Sequence, residues 1–264
     1  ASHGYIVASM DYPMTNFNAP GGPLVKDVVN QPGDVSFLLD QFLSWNAESG
    51  HQFYGAVDAQ RLGVFGLSLG GMTTTMVAFH PELGDPRVSA AASIAGPSFM
   101  FNEHFFSHRD TPFMMVATEI DALVDYESNA RPIKRKDPDA TLVSIEGGTH
   151  TGFADMARLL RWMDNPDQIG CDQVKQNIGN GDDEPWYDLI GSIEQGVEVS
   201  GLPELCVMDP LPKAMNPVMQ HWLTTVSIFS FFQSQFAAEE AERARYDAYL
   251  HSVLGSEMAA VTVQ

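Results

Sequence analysis

The stretch "RLGVFGLSLGGMT", residues 61–73, decides how this chain is read. An apolar run stops at Ser68, and Gly63, Gly66, Gly70 and Gly71 surround that serine. Glycines on both sides of a bend mark backbone that must go where a side chain cannot follow. Residues 62–65 read as a short buried strand, and residues 73–79 as a helix stopped by Pro81. Ser68 then sits on a strand-to-helix turn. This is the context required by the G-x-S-x-G nucleophile elbow, here Gly66-Leu67-Ser68-Leu69-Gly70. Such a turn lifts the hydroxyl clear of the sheet. It also aims the Leu69 amide at the space where a substrate oxygen develops charge, with a helix N-terminus adding partial positive charge. The structural alternative is a glycine-rich turn with a bystander serine.

The pattern around the elbow is a strand-helix alternation. Strands are expected at residues 5–10, 61–65, 88–94, 113–118 and 141–145. Residues 34–45 place Val35, Leu38, Leu39, Phe42 and Trp45 on one helical face. This rhythm predicts a mostly parallel sheet flanked by helices, with ligands beyond the carboxyl ends of the strands. One domain over residues 1–264 is expected in three parts. Residues 1–163 carry the catalytic sheet and helices. Residues 164–215 form an irregular excursion. Residues 216–264 form C-terminal helices: one opened by the Asn216-Pro217 cap and running through Trp222, Val226, Phe229 and Phe232, then a charged one at 239–254.

The chain has 264 residues, 44% hydrophobic, with a net charge of −20 and 14 basic side chains. That composition is globular, and its charge excludes nucleic acid and anionic membrane surfaces as natural partners. The one basic cluster, Arg131 with residues 134–136, reads as a solvated face. The apolar stretch 218–236 contains Gln220, His221, Gln233 and Gln235, so a buried amphipathic helix is expected there and not a membrane span.

A serine hydroxyl needs a base, and the base an orienting acid, in the chain order Ser, Asp or Glu, His. His3 and His51 precede the serine. His80 lies at the far end of the elbow helix, about 18 Å away at 1.5 Å per residue. His104 and His108 are four apart, but Glu103 is not where an H-E-x-x-H zinc motif needs it, so no metal is expected. His221 and His251 fall inside expected helices. His150 follows the strand at 141–145 through Glu146-Gly147-Gly148-Thr149, a loop able to aim a ring back over the sheet. The acid comes from the end of the strand at 113–118, where Glu119, Asp121 and Asp125 are available. Glu119 is too close to the strand and Asp125 begins the next helix, which favours Asp121.

"ASHGYIVASMDYP", "DVSFLLD", "VFGLSLGG", "ATEIDALVDYE" and "GGTHTGF" together resemble the α/β-hydrolase superfamily. The nearest branch is similar to the dienelactone-hydrolase-like and platelet-activating-factor-acetylhydrolase-like serine esterases, with cutinase-type polyester hydrolases as relatives. The tail phrases "NPDQIGC" and "MNPVMQHWLTTVSIFSFF" resemble C-terminal segments of bacterial esterases in this group. The resemblance implies an α/β-hydrolase fold, Ser68 as nucleophile, His150 as base, Asp121 as orienting acid, the Leu69 amide as one oxyanion donor, and no cofactor. Dienelactone hydrolases proper carry cysteine where this chain has Ser68, which removes dienelactones as the expected substrate. The resemblance also implies N-terminal strands and a second oxyanion donor that have no counterpart in this sequence. Either Ala1 is not the natural start, or a companion segment completing the sheet is expected. A peptidase or acyltransferase with the same triad, or a binding protein on the same fold, are the alternatives.

Two further expectations concern specificity and compartment. Phe99, Met100, Phe101, Phe105 and Phe106 follow the third strand, and Phe153 follows His150. They read as an apolar wall beside the nucleophile, suited to neutral short-to-medium-chain esters and, by resemblance, to aliphatic polyesters, the structural alternative being that they cap the core. Cys171 and Cys206 bracket an acidic segment without a clear apolar face. A disulfide there stabilises by roughly 3 to 4 kcal/mol in the chain-entropy model and implies an extracytoplasmic enzyme, periplasmic or secreted.

Overall fold

The computed structural model describes residues 3–16, 19–20, 24–177 and 186–264. Its centre is a five-stranded sheet in the order β1 (Leu62–Leu67), β2 (Val88–Ile94), β3 (Phe113–Ala117), β4 (Thr141–Ile145) and β5 (Val261–Val263). The first four run parallel, and β5 returns antiparallel beside β4. β3 and β4 are buried at every residue, as continuous apolar runs covered on both faces must be.

The period of two along these strands divides the core. Ala91, Phe113, Met115, Ala117 and Leu142 face one layer, with Met72, Met76, Val77 and Phe79 of α2 (Leu69–Phe79). Ala90, Ala92, Met114, Val116, Val143 and Ile145 face the other, against Leu223, Phe231, Phe232 and Phe236 of α7 (Pro217–Phe236). A one-residue slip in register would exchange the two sets. On the first face α1 (Gln31–Ala47) packs against α2. Three short helices, α3 (Glu103–Phe106), α4 (Tyr126–Asn129) and α5 (Ile133–Lys136), close that layer. The Asn216 side chain accepts from the Val218 N–H at 2.9 Å and starts α7, as its sequence signal predicts.

Several expectations are corrected. Residues 5–10 form no strand. Among the described residues they hydrogen-bond to no strand, Ile6 and Val7 are 43% and 56% exposed, and β1 pairs only with β2. A run of strand-favouring residues becomes a strand only where a ladder partner exists. β1 is correspondingly not a buried strand: Phe65 is 52% exposed. At Gly63 the Phe232 ring of α7 packs directly on the strand backbone, since a Cβ there would lie 2.6 Å from it.

The excursion at 164–215 is not wholly irregular, since it contains α6 (Asp167–Asn177). It also docks on the core through a Phe101–Val197 bridge and the flanking bond from the Glu198 N–H to the Met100 carbonyl, 2.8 Å. The charged C-terminal helix is α8 (Glu240–Ala248), which passes through a π turn at Tyr249–Val253 into α9 (Leu254–Glu257). In the basic cluster Arg131 and Arg135 are solvated and paired with Glu127 and Glu103. Lys136 is instead buried, donates to the Ser98 carbonyl at 2.8 Å, and has its pKa pushed down to about 8 by burial and then by Arg135.

The expected aromatic wall is core. Met100, Phe101, Phe105 and Phe106 are buried in the first layer, where Phe101 stacks on Phe105 at 4.1 Å and Phe106 meets Phe79 at 5.0 Å. Phe99 is half-buried against the same layer, and Phe153 packs on the other face of the sheet. A dense run of aromatics satisfies a wall and a core equally well on paper, and burial decides for the core. Phe105→Ala is therefore expected to cost about 3 to 5 kcal/mol of stability. Urea unfolding checks this; a loss under 1 kcal/mol would restore the exposed-wall reading.

Candidate active site

Ser68 follows β1 directly and holds φ 57°, ψ −121°, a conformation that side-chain-bearing residues rarely adopt. Strain of this kind costs on the order of 1 to 3 kcal/mol and survives only where the surroundings over-determine it. Here they do. The Ser68 N–H donates to the Ile94 carbonyl at 2.9 Å, and the Ser68 carbonyl accepts from the Met72 N–H at 3.1 Å. The glycines explain themselves unequally. A Cβ on Gly66 would lie 2.3 Å from the Gly70 carbonyl oxygen, and one on Gly71 would lie 2.7 Å from Ser93 Oγ and 2.8 Å from Gly96 Cα. Gly70 has open space around its own missing Cβ, so what matters at that position is how closely its backbone passes Gly66.

The helix begins at Leu69, four residues before the sequence-based boundary, because this tertiary contact overrides the poor helix propensity of two glycines. Thr73, Thr74 and Thr75 are buried in it at no cost in unpaired hydroxyls. Each donates to the carbonyl four residues back, at 2.9 to 3.0 Å. As the first helical residue, Leu69 carries an N–H that the helix itself does not use.

Asp121 and His150 sit in the loops after β3 and β4, at the same carboxyl edge of the sheet as Ser68. His150 Nδ1–H donates to Asp121 Oδ2 at 2.8 Å, and both side chains are buried. This bond assigns the Nδ1 tautomer and leaves Nε2 as the basic nitrogen of the neutral ring. The other Asp121 oxygen accepts from the Leu123 and Val124 N–H groups at 2.8 and 2.6 Å. Glu119 is exposed, and Asp125 caps α4 by accepting from the Ser128 N–H at 2.8 Å. Of the three carboxylates, the structure brings Asp121 to the histidine.

Side chains that sequence reasoning missed fix the histidine loop. Gln220 of α7 reads both sides of Thr149, accepting from its N–H at 3.1 Å and donating to its carbonyl at 2.7 Å. Thr118 Oγ1 donates to the Gly148 carbonyl at 2.5 Å. Asp167 of α6, fully buried, accepts from the His150 N–H at 3.1 Å, the Thr151 N–H at 2.6 Å and the Ala122 N–H at 3.1 Å. Asn165 Oδ1 in turn accepts from the Asp167 N–H at 2.8 Å. The signal was present: Asn165-Pro166 is the same cap-and-proline pair that marks α7 at Asn216-Pro217.

The His150 ring feels opposed effects. Burial, the largest, disfavours its charged form. The charge and hydrogen bond of Asp121 and then the charge of Asp167 outweigh it, so the pKa is raised above the ordinary value.

Four other histidines make hydrogen bonds away from this pair. His80 Nε2 donates to the Ile190 carbonyl at 2.8 Å. His104 and His108 donate to the Glu194 and Gln195 carbonyls at 3.1 and 3.2 Å. His221 accepts from Arg158 Nε at 3.0 Å and lies 3.1 Å from the Ala154 carbonyl. Among the described residues no three His, Cys, Asp or Glu side chains converge to hold a metal ion, and no helix is long and apolar enough to cross a membrane. Cys171 and Cys206 form a disulfide.

A family model described as PET hydrolase-like (PETase) matches residues 1–167, which include Ser68, Asp121 and His150. No curated protein matches the chain.

The unequal glycines generate a test. Gly66→Ala is expected to cost about 3 kcal/mol or more, because backbone and not a flexible side chain must move. Gly70→Ala is expected to stay within about 1 kcal/mol of the parent. Denaturant unfolding of both variants checks the contrast, and equal losses would remove the Gly66–Gly70 approach as the origin of the turn.

Proposed function

The chain belongs to the PET hydrolase-like family, whose fold is the α/β-hydrolase fold, and from that premise we propose that it is a serine carboxylesterase. The observation that carries the proposal is the strained Ser68 turn at the same sheet edge as the buried Asp121–His150 pair. Ser68 Oγ attacks the ester carbonyl while His150 Nε2 takes its proton. The Leu69 N–H stabilises the oxyanion, and His150 then protonates the leaving alcohol. Water repeats the sequence on the acyl-enzyme and frees the acid. Asp121 holds the imidazole in its working tautomer and stabilises the imidazolium.

Neutral, apolar esters are the substrate class, with polyesters an extension that follows the family description. With the aromatic run buried, support comes from another surface. The 3-10 helix after the His150 loop, Asp155–Leu160, exposes Met156 and Leu159, and Trp162 just beyond is 78% exposed. It packs against α7, which exposes Val218, Met219 and Trp222. A net charge of −20 repels anionic substrates on approach. The Cys171–Cys206 bond fits folding in an extracytoplasmic, oxidising compartment.

On p-nitrophenyl esters from acetate to decanoate, Ser68→Ala and His150→Ala are each expected to lower kcat by about 10⁴ to 10⁶, with the double variant barely worse than either. Additive losses, or a parent that prefers charged acyl groups, would contradict the proposal. Activity requires neutral His150, so it rises as pH climbs through the His150 pKa. Because that pKa is raised, the midpoint is expected above the ordinary histidine value of 6.5. A kcat/KM profile from pH 5 to 9 that is flat, or centred below that value, would remove His150 as the base.

A further inference from the structure

Asp167 stands outside the triad, yet its carboxylate touches both the loop that carries Asp121 and the loop that carries His150. Oδ2 accepts from the N–H of Ala122, the residue after Asp121, and from the N–H of His150 itself; Oδ1 accepts from Thr151. An aspartate at the start of a helix ordinarily caps that helix. Asp167 does not do this: Asn165 takes the capping position, and the Asp167 oxygens turn away to other segments. Three charge-assisted hydrogen bonds on a fully buried carboxylate make a rigid junction. The junction is covalently closed. Cys171, one turn along α6, is joined to Cys206, whose N–H donates to the Ala122 carbonyl at 2.7 Å. The Ala122 residue is thus held by its N–H through Asp167 and by its carbonyl through Cys206.

We propose that Asp167, fixed through α6 by the Cys171–Cys206 closure, is a positioning residue that sets the distance between Asp121 and His150 and adds negative charge behind the imidazole. This rests on the esterase reading for what the distance serves. The groups facing the ring are Asp121 from the β3 loop and Asp167 from α6, while α7 presents the neutral Gln220 and, at Ala154, His221. The sign follows. Asp167 favours the protonated ring, so its removal lowers the His150 pKa and moves the acidic limb of activity to lower pH.

The test uses the full chain with its disulfide intact. Asp167→Asn keeps the shape but removes the charge and one acceptor. A displacement on the order of 1 Å at a catalytic base costs about 10²-fold. The expected result is a kcat fall of about tenfold to hundredfold on p-nitrophenyl butyrate, little change in KM, and an acidic limb shifted to lower pH. Asp167→Glu keeps the charge and misplaces it, so kcat falls while the limb stays near its parental position. A folded Asp167→Asn variant with parental kcat and parental limb overturns the proposal.

If neither variant folds, amide hydrogen exchange of the unsubstituted protein decides. The Ala122, His150 and Thr151 N–H groups share one carboxylate and should exchange through one common opening; three independent openings overturn the proposal. Histidine titration by NMR reads the His150 shift without turnover. Absence of all ester turnover with that shift present in Asp167→Asn would refute the esterase reading and leave the positioning role standing.

Discussion

The backbone of Gly66 passes the backbone of Gly70 so closely that no side chain fits between them. Everything at the carboxyl edge of the sheet follows from that approach. It lets α2 start immediately after β1, which forces Ser68 into its positive-φ conformation. It brings Gly71 against Gly96 and the end of β2, so the turn is braced by the neighbouring strand as well. The strain at Ser68, on the order of 1 to 3 kcal/mol, is small beside the apolar burial that α2 gains with Met72, Met76, Val77 and Phe79 fully covered. Packing wins, and the serine stays strained.

The parallel sheet converts this local constraint into a site. Neighbouring strands lie about 4.8 Å apart, so β1 and β4 are separated by about 14 Å. Loops of a few residues must cross that gap. The histidine loop is short, rich in glycine and would wander without support. It is held at Gly148 by Thr118, at Thr149 by Gln220 and at His150 by Asp167. Three elements that share no local sequence, the end of β3, α7 and α6, therefore converge on three consecutive residues.

That convergence explains what could be read from the sequence. β2 and β4 are found at their expected bounds because each is an apolar run bounded by turn residues and buried on both faces. The pairing of Asp121 with His150 at the same sheet edge as Ser68 was legible because chain order and strand ends narrow the choice to a few residues. Residues 5–10 carry the same local pattern as a strand, and only the absence of a ladder partner among the described residues separates them from β2. The aromatic run from Phe99 to Phe106 is compatible with core or wall, and nothing local distinguishes the two. Asp167 was hidden for a different reason. Its partners are backbone N–H groups, which every sequence has, so no residue pattern advertises the pairing. Its helix was announced by Asn165-Pro166, in a stretch whose acidic composition pointed to loop.

The electrostatics of the site are unusual in using backbone amides where a cation would serve. Asp121 and Asp167 are both buried, and bringing charge out of water is expensive unless it is well solvated by the protein. Among the described residues neither is salt-bridged to lysine or arginine; five backbone N–H groups satisfy them instead. The His150 ring bonds to Asp121, while Asp167 receives the main-chain N–H of His150. A guanidinium in this position would compete with the imidazole for the carboxylate and oppose protonation of the ring. Amide dipoles fix the carboxylates without adding a positive charge, so both remain free to favour the imidazolium. The arrangement also suits a chain with 34 acidic and only 14 basic side chains, because buried amides hold the carboxylates where salt screens little and no basic residue need be spared for the site.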